Sequence, residues 1–77
     1  MKVKVKVYGT LLTYVAEQKE EHELEVGAPV TAGEILKHLG IPEEEVWLLS
    51  VGKRRVSSSY EVTEGEELSI FPPVTGG

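Results

Sequence analysis

Lys2-Val3-Lys4-Val5-Lys6-Val7 alternates without a slip, which puts valine on one face of a strand and lysine on the other. The sheet this strand joins is expected to be wet on one side. From Thr10 to Ala16 the period changes: Leu11, Leu12, Val15 and Ala16 stand at helical spacing and predict a short helix or turn before the polar stretch from Glu17 to Glu23. His22 to Val26 reads as a second strand with Leu24 and Val26 on one face, stopped by Gly27-Ala28-Pro29.

The best-specified element is a helix from Thr31 to Leu39. Thr31 and Glu34 have the spacing of a capping box, and Val30 and Ile35 stand where a hydrophobic staple places its two residues. Ile35, Leu36 and Leu39 make the apolar stripe, Gly40 supplies a left-handed cap, and Pro42 prevents the helix from resuming. Val46 to Val51 is an apolar run with strand propensity, and Gly52-Lys53 turns it into Arg54-Arg55-Val56, as in a hairpin. The period leaves open whether Trp47, Leu49 and Val51 or Val46 and Leu48 face inward; for Trp47 a core position is expected. Ser57 to Ser59 read as loop, Tyr60 to Val62 as a short extended piece, and Glu64-Gly65 as a turn. The last strand, Glu67 to Phe71, sets Leu68 and Ile70 against Ser69 and Phe71, and Pro72 ends its pairing by removing a donor.

Strand, strand, helix, strand, strand, strand, with one helix to cover one face of a mixed sheet of about five strands, is the α+β pattern of a β-grasp, or ubiquitin-like, roll. A domain over residues 1–71 followed by a flexible extended tail over residues 72–77 is the expected organisation. At 77 residues the chain has material for one core and none for a deep enzyme cleft. No apolar run approaches a membrane span, and the lysine-rich start leads into alternation instead of an apolar block, so a cytoplasmic protein is expected. A net charge of −5 argues against a general nucleic-acid binder and suits contact with basic surfaces on partner proteins.

The chain contains no cysteine, which removes a disulfide framework, a thiolate zinc cluster and a cysteine nucleophile. His22 and His38 lack metal-ligand partners at useful spacing, and His38 suits the C-terminal end of the helix. Glu20-Glu21-Glu23, Glu43-Glu44-Glu45 and the lysine face read as solvated, and Ser57-Ser58-Ser59 has no nucleophile-elbow context. Lys53, Arg54 and Arg55 form the one basic cluster, read as a solvated hairpin tip with acidic-partner docking as the alternative.

What remains is the end of the sequence, Pro72-Pro73-Val74-Thr75-Gly76-Gly77. Two prolines stiffen the backbone, and two residues without side chains lead to a bare carboxylate able to enter a narrow channel. Extended at about 3.1 Å per residue, this segment reaches roughly 19 Å. Phe71 points away from the expected core at the root of the tail and suits a partner contact.

Thr63-Glu64-Gly65-Glu66-Glu67-Leu68 followed by Phe71-Pro72-Pro73-Val74-Thr75-Gly76-Gly77 resembles the small subunit of molybdopterin synthase, of the ubiquitin-like sulfur carrier family. The resemblance runs from about Trp47 to the end. It departs in the Tyr8 to Glu23 region and at Arg55, where the family's apolar partner surface leads one to expect an apolar residue. It implies that an E1-like adenylyltransferase uses ATP and magnesium to adenylate Gly77, that a sulfur donor protein then yields a thiocarboxylate, and that the large synthase subunit uses this sulfur on a pterin precursor in molybdenum cofactor biosynthesis, within a heterotetramer. In that cycle Gly76, Thr75, Val74, Pro73 and Pro72 thread the partner's channel, and the chain is a non-catalytic subunit that binds no cofactor of its own. A carrier for the thiamin thiazole or a tungsten-type pterin, a ubiquitin-like modifier joined to target lysines through Gly77, and a plain interaction domain are the alternatives.

Overall fold

The computed structural model describes residues 1–73. In chain order, β1 spans Lys2–Val7, β2 Glu21–Glu25 and β3 Val30–Thr31; α1 is Ala32–Leu39; β4 is Leu48–Val51, β5 Arg54–Val56, β6 Glu61–Val62 and β7 Glu67–Phe71. Between β1 and β2 the segment of mixed periodicity forms two short 3₁₀ turns, Gly9–Tyr14 and Ala16–Gln18, which bury Leu11 and bring Val15 into the core. Sequence reasoning did not separate β3 from the helix start; it pairs antiparallel with β6 in a small second sheet.

The main sheet has the order β2-β1-β7-β4-β5. β7 is its centre, parallel to β1 and antiparallel to β4. Alternation decides its two faces: Val3, Val5, Val7, Leu68, Ile70, Leu49 and Val51 are buried on one side with Ile35 and Leu36 of α1. This is the β-grasp, ubiquitin-like fold expected from the pattern, a mixed five-stranded sheet with one main helix.

The helix begins and ends as its sequence requires. The Glu34 N–H donates to Thr31 Oγ1 at 3.2 Å, and the Thr31 N–H donates to Glu34 Oε1 at 2.9 Å, closing the capping box. The Thr31 backbone N–H first and the Thr31 hydroxyl second, which donates to Glu34 Oε1 at 3.1 Å, hold the Glu34 carboxyl below its ordinary value. Val30 and Ile35 both lie in the core, and Gly40, at φ 76°, lets the Ile41 N–H reach back to the Leu36 carbonyl at 2.9 Å.

Trp47 departs from expectation. It is 55 % exposed. It sits one residue before β4, and although its N–H still donates to the Phe71 carbonyl, its side chain does not follow the inward parity of Leu49 and Val51.

Candidate functional site

The chain leaves the sheet from its central strand, so the last residues of β7 are flanked on both sides. The Tyr8 N–H donates to the Ile70 carbonyl at 3.1 Å, and the Trp47 N–H donates to the Phe71 carbonyl at 2.9 Å. Pro72 has no N–H, and the ladder stops there. Phe71 and Tyr8 stack with ring centroids 4.5 Å apart and planes 7° apart, which explains why Phe71 is half-buried although it faces away from the core. Lys6 Nζ lies 5.5 Å from the Tyr8 ring centre. Pro72 is half-buried and packs on Gly9, while Pro73 is exposed.

Register places the open face in rows. Leu48 lies opposite Phe71, so Tyr8, Phe71 and Leu48 form an apolar row at the root of the tail, with exposed Trp47 beside it. The next row is polar, running Lys6, Ser69, Ser50 and Arg55 across four strands. A shallow groove of about 380 Å³ continues from Leu48 along the β5 edge between Trp47, Arg55 and Val56. On the other flank, Lys2, Lys4 and Lys6 stand opposite Glu25, Glu23 and Glu21 of β2.

The acidic turn before β7 has a structural use that the sequence reading did not assign. Glu66 Oε1 accepts from the Thr63 N–H at 2.8 Å, and its carboxylate also accepts from the Tyr60 hydroxyl at 2.8 Å, while Arg54 donates to that hydroxyl at 3.1 Å. The Thr63 N–H first and the Tyr60 hydroxyl second hold the Glu66 carboxyl below its ordinary value. The same hydrogen bond pushes the Tyr60 hydroxyl up. Glu66 therefore closes the turn that leads into β7. The basic cluster divides: Arg54 is taken up by Tyr60, Lys53 stays in the exposed turn, and Arg55 lies on the open face opposite Ser50.

Of the residues singled out in the sequence, Phe71, Pro72 and Pro73 meet at this exit; Val74, Thr75, Gly76 and Gly77 lie outside the described residues. Tyr8, Gly9 and Trp47 were missed as parts of the site. Extending the alternation of β1 by one step puts Tyr8 on the lysine face, but only the parallel pairing of β1 with β7 brings it to Phe71. Among the described residues no group of three or more His, Cys, Asp or Glu side chains is placed to hold a metal ion, and no helix is long and apolar enough to cross a membrane.

A mixed five-stranded sheet packed on one main helix, with Phe71 at the end of its central strand stacked on Tyr8, defines a ubiquitin-like β-grasp protein. The chain belongs to the ThiS family, whose model matches residues 5–77. No curated protein matches it at a significant level. Among solved structures it is similar to small archaeal modifier protein 1 of Haloferax volcanii, with a TM-score of 0.75 and 17 % identity over 95 % of this chain and 98 % of that one. It is also similar to a putative molybdopterin converting factor subunit 1 from Pyrococcus furiosus, with a TM-score of 0.68 and 23 % identity over 95 % and 98 % of the two chains. A third is a chain from the complex of molybdopterin-converting factor subunits 1 and 2 of Helicobacter pylori, at 0.63 and 19 % with both chains fully covered. At these identities the structures establish the shared fold, and the family match is consistent with a ubiquitin-like sulfur carrier.

Proposed function

We propose that this protein is the sulfur-carrying small subunit of a molybdopterin synthase, bearing sulfur on the carboxyl carbon of Gly77. The observation that supports the reading is that the sequence Phe71-Pro72-Pro73-Val74-Thr75-Gly76-Gly77 begins at the end of the central strand, where Phe71 and Tyr8 stack on the open face. A carboxylate is a poor electrophile, so an E1-like enzyme uses ATP and magnesium to make the acyl-adenylate, releasing pyrophosphate. A sulfur nucleophile from a donor protein then attacks the acyl carbon and expels AMP. Hydrosulfide gives the thiocarboxylate directly, and a persulfide gives it after a thiol reduces the acyl disulfide. The large synthase subunit directs the thiocarboxylate sulfur to a pterin precursor, and hydrolysis returns Gly77 to a carboxylate.

In this cycle the body stays outside the partner, docked through Phe71, Tyr8 and Leu48, while the tail from Pro72 to Gly77 leads into its channel. A large-subunit partner is in keeping with the two-subunit complex of the Helicobacter pylori relative. A cytoplasmic location fits the substrates required. The name of the Haloferax volcanii relative favours one second reading, a protein modifier joined to lysines through Gly77.

Reconstitution separates the two. With an activating enzyme, ATP, magnesium and a sulfur source, intact mass is expected to report one oxygen replaced by sulfur, and adding the large subunit and pterin precursor is expected to return the chain to its starting mass. Persistent free carboxylate under these conditions overturns the carrier reading. Gly-Gly branches on target lysines support the modifier instead.

A further inference from the structure

We infer that Gly9 is a positioning residue: its missing side chain seats the Pro72 ring, and this seat aims the C-terminal segment for charging. The inference rests on the carrier reading above. After Phe71 no sheet hydrogen bond directs the chain, because Pro72 cannot donate one. Phe71 and Pro72 each precede a proline, which confines both to extended conformations, and the Pro72 ring fixes its own φ. Few soft angles therefore remain at the root, and whatever the Pro72 ring leans on sets the direction of departure.

It leans on Gly9. A Cβ placed on Gly9 would stand 2.8 Å from Pro72 Cγ, too close for two carbons, and at contact distance from Cδ (3.6 Å) and Cβ (3.9 Å), so the tip of the ring takes the space that any other residue would fill. Gly9 itself sits at φ +61°, a left-handed conformation in which the chain swings off the end of β1 into its 3₁₀ turn. Tyr8, the preceding residue, holds the Ile70 carbonyl and stacks on Phe71, so the three residues Phe71, Pro72 and Gly9 are locked to one another by the Tyr8 backbone and ring. Relieving the contact moves Pro72 Cγ by about 1 Å, which turns the ring by roughly 20° and changes the direction in which the chain departs from β7. A changed direction at the root lowers the fraction of encounters in which Gly77 meets the nucleotide in the activating enzyme.

The fold supplies its own control. Gly52, in the β4–β5 turn, has the same φ of +61° with nothing within 4 Å of an added Cβ. Gly9→Ala and Gly52→Ala therefore carry the same backbone penalty, and only the first meets Pro72. The test measures ATP-dependent charging of Gly77 by the activating enzyme for the full chain, Gly9→Ala, Gly52→Ala, Pro72→Ala and the double variant Gly9→Ala with Pro72→Ala, alongside thermal unfolding. Misaiming with intact docking is expected to lower kcat by about tenfold in Gly9→Ala with KM retained, while Gly52→Ala stays within about twofold of the parent. Removing the offending ring is expected to cancel the effect: the double variant charges like Pro72→Ala alone. In the NMR spectrum of the unmodified protein, the Gly9 α-protons are expected to show a nuclear Overhauser contact to the Pro72 ring.

Equal kcat for Gly9→Ala and Gly52→Ala overturns the inference, as does a double variant in which the two changes simply add, or a missing Gly9–Pro72 contact. An unmodified chain that the enzyme leaves uncharged overturns the carrier reading and the aiming role together, and the seat is then judged by the NMR contact alone.

Discussion

The two halves of the open sheet face obey the same alternation and end in opposite conditions. On the β2–β1 side, Lys2, Lys4 and Lys6 face Glu25, Glu23 and Glu21 in register, and Lys2 Nζ comes within 3.8 Å of a Glu23 carboxylate oxygen. Exposed pairs of this kind add little stability, but they cancel charge and blunt an edge strand against stray pairing. On the β7–β4–β5 side, Tyr8, Phe71 and Leu48 lie beside Ser69, Ser50 and Arg55, with Trp47 at the border. This half has aromatic surface and a guanidinium of the kinds that dominate interfaces, and it surrounds the exit of the C-terminal segment. One half is complete by itself and the other asks for a partner.

The strongest way to break this contrast is Phe71→Ala. If the β7 half is the docking surface, this change weakens binding to the activating enzyme or the large subunit by at least about tenfold, as expected for a central aromatic anchor. Lys4→Gln on the other half stays within about twofold, with surface changes of this kind leaving stability almost unaltered. Isothermal titration against either partner reads the difference; equal losses from the two variants erase the contrast.

Arg55→Glu sharpens it. Reversing this charge is expected to slow association several-fold at low salt and to lose the difference as ionic strength rises, because screening removes steering before it removes contacts. Association rates unchanged by Arg55→Glu at every salt concentration leave this half purely apolar in its action.

The smallest effect concerns the anchors behind each half. Glu66 holds the turn that starts β7, Glu34 caps the helix on the covered face, and both carboxyls titrate below their ordinary value of 4.5 in the folded chain. A lowered folded pKa contributes stability that is present above the ordinary value and is lost as the pH falls through the lowered one. Glu66→Gln and Glu34→Gln are each expected to flatten the fall of the melting temperature below pH 4.5. Melting curves across that window check it, and an unchanged acid limb in Glu66→Gln removes the anchoring role given to that side chain.

Much of this molecule is written in local pattern. The lysine–valine strand, the Thr31/Glu34 box with its Gly40 stop, and the split of Leu68 and Ile70 from Ser69 and Phe71 each depend on residues within one or two turns of each other, where backbone geometry alone decides which way a side chain points. The proline pair and the diglycine are likewise local features of the sequence, the prolines restricting the backbone and the glycines removing side chains. The exposure of Trp47 was not legible, because the apolar run from Val46 to Val51 fits a core strand and only the folded chain leaves its side chain in solvent. Glu66 stood in the sequence only as part of an acidic-Gly motif, and its bonds to Tyr60 and Thr63 are set by the folded chain. Tyr8 and Gly9 are separated from Phe71 and Pro72 by most of the chain, and no local pattern announces contacts made across a parallel strand pair. The sequence by itself determined the main strands, the helix with its caps and the covered face; the tertiary structure alone decided the short β3–β6 pair and which distant residues stand around the end of β7, because these depend on strand order and register, which are properties of the whole sheet.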